Sequence, residues 1–184
     1  MGFFGKRRTA AAVFVVVIIV FGVIGVNLSA SRVYSRAEKQ FYDGVFAAEG
    51  NYTESAIENH LEKRIDAALG LITVLAKEPE FSDEVSALRE AREELISAKT
   101  VKEKFLANEK LEGAYLSAAN AMPDEKKSES AAKSYLSTLS GAQTAILKSS
   151  YNDETKKANA SVLPGVLYPL RLLVFSEQAE LFEQ

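Results

Sequence analysis

Tyr151, Asn152 and Asn159 are the residues whose types and spacing could do chemistry. A phenol and two carboxamides at these spacings fall near one face of an α-helix. They could form a polar recognition patch. They could equally bond between helices and fix register, as buried polar groups must, and this second use is the expectation. Arg64 and Asp66 could belong to the same network. Standing two apart, they cannot share one tight helical face, so each needs its own partner.

Other chemistry is poorly served. His60 is the single histidine and sits between Asn59 and Leu61 among charged residues, where a solvated position is expected. It could bind a metal only with carboxylates from elsewhere, Glu58 or Glu62 being the nearest. Glu90 and Glu94 have i, i+4 spacing, but a two-metal bundle also needs Glu-x-x-His from two helices, which one histidine cannot supply. Glu58, Glu62, Glu93, Glu94 and Asp124–Lys127 read as solvated faces. With no cysteine there is no thiolate nucleophile or thiolate metal site. No Ser-His-acid arrangement or phosphate-cradling loop is visible. The expectation is a non-enzymatic protein without metal, cofactor or small-molecule substrate. Beyond residue 30 no Lys/Arg cluster occurs, and the net charge is −3, which argues against a nucleic-acid partner.

The elements that must position these residues begin at a membrane. Ala10 to Val26 carries no charge, and its 17 residues span about 25 Å as a helix. Thr9 and Asn27–Ala30 extend it to about the 30 Å of a hydrocarbon core, where a helix satisfies its own backbone. Lys6, Arg7 and Arg8 abut the helix start, against Arg32, Arg36 and Lys39 after it, and favour a body outside the cytoplasm. A cleaved signal peptide would end at Leu28-Ser29-Ala30. The apolar run exceeds the usual h-region of about 7–15 residues, and Leu28 is bulky there, so an uncleaved anchor is expected. Partners would be the bilayer through residues 10–30, and another membrane or envelope protein or a second copy of the chain.

The body reads as helical. Ile57, Leu61, Ile65, Leu69 and Ile72 form one apolar stripe, with Ser55 and Glu58 as its expected capping box. Lys77-Glu78-Pro79 ends it. A second helix is expected from Phe81, through Val101 and Leu111, to about Ala121, with Met122-Pro123-Asp124 as the next break. Tyr135, Leu139, Ala142 and Ile146 carry a third stripe, continued by residues 149–163 up to Leu163-Pro164-Gly165. Gly50-Asn51 is an expected break after a helical stretch at Ser31–Glu49. The expected fold is all-α: one transmembrane helix, then an elongated antiparallel up-and-down bundle of three to four long helices. The domains would be a basic N-terminus (1–9), the transmembrane helix (10–30), the bundle (31–165) and an apolar tail (166–184) packing on the bundle. In that tail Leu181 and Phe182 would close the end.

The order of several short features resembles the LemA family. Tyr151-Asn152-Asp153, then Asn159, then Phe182 stand at that family's spacing, and Leu61, Arg64, Asp66 and Leu71 fit its upstream helix. Met122-Pro123 stands where the family often has Tyr-Pro. Departures are Lys63 for the first arginine of a pair, Leu69-Gly70 for Pro-Asn, and Ala158 for a second tyrosine. The resemblance covers about residues 40–183 together with the anchor. It implies a membrane-tethered helical bundle whose activity is not established, a scaffold or interaction module and not a catalyst. It also implies a small external N-terminus, opposite to the charge reading. The alternatives carried by the residues are an extracytoplasmic ligand-sensing bundle that signals through a partner protein, and a lipid-surface-contacting structural protein.

Overall fold

A computed structural model describes residues 2–47, 50–162 and 174–183, which are all-α apart from one two-stranded hairpin. Helix α1 covers Gly2–Asp43, strands β1 (Phe46–Ala47) and β2 (Tyr52–Thr53) form the hairpin, and α2 covers Ile57–Leu75. A 3-10 turn at Pro79–Phe81 leads into α3 (Ser82–Ser97), followed by α4 (Val101–Ala121), the short α5 (Asp124–Ser128), α6 (Ser130–Lys148) and α7 (Tyr151–Val162). Residues 174–183 are non-helical. The stop expected at Leu163-Pro164-Gly165 and most of the expected apolar tail, residues 166–173, lie outside the described residues.

The described residues divide into two compact units, one drawn from Met1–Ala37 and Thr155–Ala179, the other from Glu38–Glu154 and Glu180–Gln184. In the first unit, α1 carries a stretch long and apolar enough to cross a membrane, a test that a signal sequence also passes. Its side chains from Val13 to Phe21, and at Ile24 and Leu28, are exposed. Burial begins at Ala30 and continues at Tyr34 and Ala37, one stripe covered by Ala179 with Ala158, Val162 and Val174.

The second unit is a helical bundle. Helix α2 packs on α6 and α3, and α3 packs on α4. Arg64 meets Gln143 and Gly70 meets Tyr135, so α2 and α6 run antiparallel. Glu58 pairs with Lys104 and Arg64 with Glu112, so α2 and α4 run parallel. Alternating direction is what short links between amphipathic helices produce. Gly70 permits the close approach of α6, because a Cβ there would strike the Tyr135 ring.

Five local expectations change. Of the expected α2 stripe, Ile57, Leu61 and Ile72 are buried, Ile65 packs half-buried on the core and Leu69 is exposed, while Ile57, Leu61, Arg64, Ala68, Leu71 and Leu75 form a continuous buried line. Those steps of 4, 3, 4, 3 and 4 are a heptad seam, disguised in the sequence by a charged residue at one core position. The Ser55–Glu58 capping box does not form: α2 is capped at Ala56 without a side-chain bond, and Glu58 pairs with Lys104. The helix expected to run from Phe81 to Ala121 is two helices, broken at Ala98-Lys99-Thr100. The third helix is likewise interrupted at Ser149-Ser150, where the Glu54 carboxylate accepts from the Ser150 N–H and hydroxyl. The Gly50-Asn51 break becomes the hairpin turn, with Asn51 at φ 50°. Gly44, at φ 89°, is required before it, since a Cβ would strike the Glu54 carbonyl.

The break between α3 and α4 is held by a capping box. Thr100 Oγ1 accepts from the Glu103 N–H at 3.1 Å, and the Glu103 carboxylate accepts from the Lys99 and Thr100 N–H groups. Thr100→Ala is expected to cost about 1 kcal/mol of stability in denaturant unfolding. The two backbone N–H groups hold the Glu103 carboxyl below its ordinary 4.5. A depressed folded-state value means stabilisation present above about pH 4.5 and lost as pH falls through that folded value. The stability gap between wild type and Glu103→Gln is therefore expected to shrink on acidification; a gap constant from pH 7 to 3 would contradict this assignment.

Candidate functional site

Tyr151, Asn152 and Asn159 of helix α7 bond to a non-helical segment, where bonds between helices were expected. In the second unit the Tyr151 hydroxyl donates to the Glu180 carbonyl at 2.7 Å. The Asn152 carboxamide pairs with both polar groups of Phe182: Nδ2 donates to its carbonyl at 3.0 Å, and Oδ1 accepts its N–H at 2.8 Å. In the first unit Asn159 treats Ala179 identically, with Nδ2 donating to its carbonyl at 2.9 Å and Oδ1 accepting its N–H at 3.0 Å. A side-chain amide carries one acceptor and donors in peptide-like geometry, so each asparagine satisfies a complete backbone unit. Such pairing holds chain segments that lack a ladder of their own.

Phe182 anchors this contact in the second unit. It is buried, with its ring centroid 5.6 Å from Phe41 and 5.4 Å from Phe105, the latter edge-on. Tyr151 meets Phe41 edge-on at 5.6 Å. Lys104, paired with Glu58, lies over the Phe41 and Tyr42 rings at 5.7 and 5.4 Å. The edge-on geometry is the one that ring quadrupoles favour.

Arg64 belongs to a separate buried layer between α2, α4 and α6. It is fully buried, donates through Nη2 to Glu112 Oε2 at 2.6 Å and through Nη1 to Gln143 Oε1. Gln143 Oε1 also accepts from Asn108 Nδ2 at 3.0 Å. Burial pushes the Arg64 guanidinium below its ordinary value, and the bond to Glu112 opposes this. Among the described residues Arg64 Nε and Asn108 Oδ1 meet no hydrogen-bond partner. Polar groups inside a heptad seam set register at a cost in stability. Asp66 is exposed and takes no part in this layer.

Asn108, Glu112 and Gln143 were not singled out from the sequence. For Asn108 the signal is the heptad seam Asn108, Leu111, Tyr115 and Ala118 of α4, continued by Met122 at its C-cap, in which one amide interrupts an apolar series. His60 is half-buried, and burial and then Lys63 push its imidazole below 6.5. Among the described residues no group of three or more His, Cys, Asp or Glu is placed to hold a metal ion. A groove of about 780 Å³ lies between α3 and α4, lined by Glu94, Lys99, Glu103, Leu106 and Lys110 among others.

No protein-family model matches the chain, and no curated protein matches it. The resemblance to the LemA family rests on the residues quoted for it.

Proposed function

We propose that this is a membrane-anchored, non-enzymatic helical-bundle protein of the LemA type, acting as a scaffold or protein-interaction module. The observation that carries the reading is the inward use of its polar residues. Tyr151, Asn152, Asn159 and Arg64 place hydrogen bonds within the fold, while Ile96, Leu106, Leu116 and Leu147 stand exposed on the second unit. Leu106 also lines the groove between α3 and α4, a concave surface of the kind that protein partners fill.

The uncleaved anchor is supported from within the first unit. Cleavage after Ala30 would remove Ala30, which is buried, and Asn27, which bonds to Phe175 and Ser176. On the charge of Lys6, Arg7 and Arg8, the body lies outside the cytoplasm.

Crosslinking of the full-length protein in its native membrane, followed by mass spectrometry, tests the reading. A defined partner, or a second copy, is expected to crosslink and to be lost when Ile96→Glu and Leu106→Glu are introduced together. Both positions are exposed, so each change should leave stability within about 0.5 kcal/mol. Absence of any specific crosslinked species would overturn the scaffold reading.

A further inference from the structure

Asn27 ties residues 175 and 176 to the end of the apolar run of α1. Its Oδ1 accepts the Phe175 N–H at 2.7 Å, and its carbonyl accepts from the Ser176 hydroxyl at 3.0 Å. Its Nδ2 donates to the Val23 carbonyl, one turn back, at 2.9 Å. All four residues lie in the first unit.

The depth of this knot follows from helix arithmetic. The apolar run begins at Ala10, and a hydrocarbon core takes about 20 helical residues, which places Asn27 at its edge. A polar group there is costly unless paired within the protein. Asn27 and the Phe175 peptide pair with each other, so both tolerate low polarity. Phe175 is nevertheless 75% exposed, and Leu28, beside Asn27 in the helix, is 56% exposed.

We infer that Phe175, positioned by Asn27, is a second membrane contact whose ring enters the boundary between headgroups and acyl chains. The inference rests on the reading of α1 as a membrane span. Phe, with Trp and Leu, is a side chain that interfacial segments bury at the boundary between headgroups and acyl chains. Charge does not drive the contact: within 166–184 Arg171 is the sole basic residue, against Glu177, Glu180 and Glu183. Zwitterionic lipid therefore suffices, since an attraction to anionic lipid needs clustered cations.

The chain contains no tryptophan, so Phe175→Trp installs a single indole reporter. The full-length protein is reconstituted in phosphatidylcholine vesicles carrying lipids brominated either near the headgroup or deep in the acyl chain. Phe21→Trp, within the apolar run, reports the span itself. The expected result is blue-shifted Phe175→Trp emission, quenched more by the shallow bromines than by the deep ones and lost on adding Asn27→Leu. Quenching of Phe21→Trp without quenching of Phe175→Trp would overturn the inference and leave the span standing. Quenching of neither would overturn both. Quenching of Phe175→Trp that survives Asn27→Leu would overturn the positioning role of Asn27.

Discussion

An Arg64→Ala protein is expected to lose about 3 kcal/mol of stability, the low end for breaking a buried ion pair. The change removes the partner of Glu112 and one of the two donors to Gln143 Oε1, and leaves a cavity beneath α4 and α6. The low end applies because the Glu112 side chain retains 23% exposure and can rehydrate. Arg64→Lys should not restore the loss, since an ammonium cannot address Glu112 and Gln143 with one planar fork. Arg64→Met combined with Glu112→Leu should recover most of it, because replacing both members of a buried pair by apolar groups is near neutral. Denaturant unfolding in detergent, followed by circular dichroism, reads all three. A loss below about 1 kcal/mol for Arg64→Ala would show that the layer carries no buried ion pair.

Phe182→Ala should be comparably damaging, at about 3–4 kcal/mol, although the residue lies in a segment without regular structure. Its ring is enclosed by Phe41 and Phe105, and its backbone is held by Asn152. Leu147→Ala, at a side chain 76% exposed, serves as the reference and should change stability by less than about 0.5 kcal/mol. Thermal melting of the three proteins in one detergent would decide. A Phe182→Ala melting point equal to that of Leu147→Ala would refute the anchoring role.

The sequence made some elements legible and hid others for identifiable reasons. Proline marks the breaks at Pro79 and Pro123 because it excludes the helical conformation of its predecessor. The break at Ala98-Lys99-Thr100 has no proline or glycine, and only the Thr100-x-x-Glu103 pattern announces it. The break at Ser149-Ser150 is marked locally only by its serines, Ser149 Oγ accepting the Tyr151 N–H, while the Glu54 carboxylate that holds Ser150 comes from far away in the chain. The heptad seam of α2 was obscured by Arg64, whose charge reads as surface until its partners on two other helices are known. For the candidate site, spacing indicated that Tyr151, Asn152 and Asn159 lie near one face, but the expected bonds between helices are instead bonds to the backbone of Ala179, Glu180 and Phe182. Spacing could not indicate what they hold, since an asparagine that pairs with a peptide group leaves no trace in the side chains of its partner.

The contact between Phe182 and Phe41 also has a meaning in time. Glu38 and Glu180, which bond beside it, are 142 residues apart. At a ribosome speed of 5–20 residues per second, their emergence is separated by on the order of ten seconds. Throughout that interval the nascent chain carries the aromatic receptacle of Phe41, and later of Phe105 and Tyr151, without the ring that fills it. The newborn protein therefore has a long window in which a chaperone, or the Phe182 of a neighbouring finished copy, can occupy that place first.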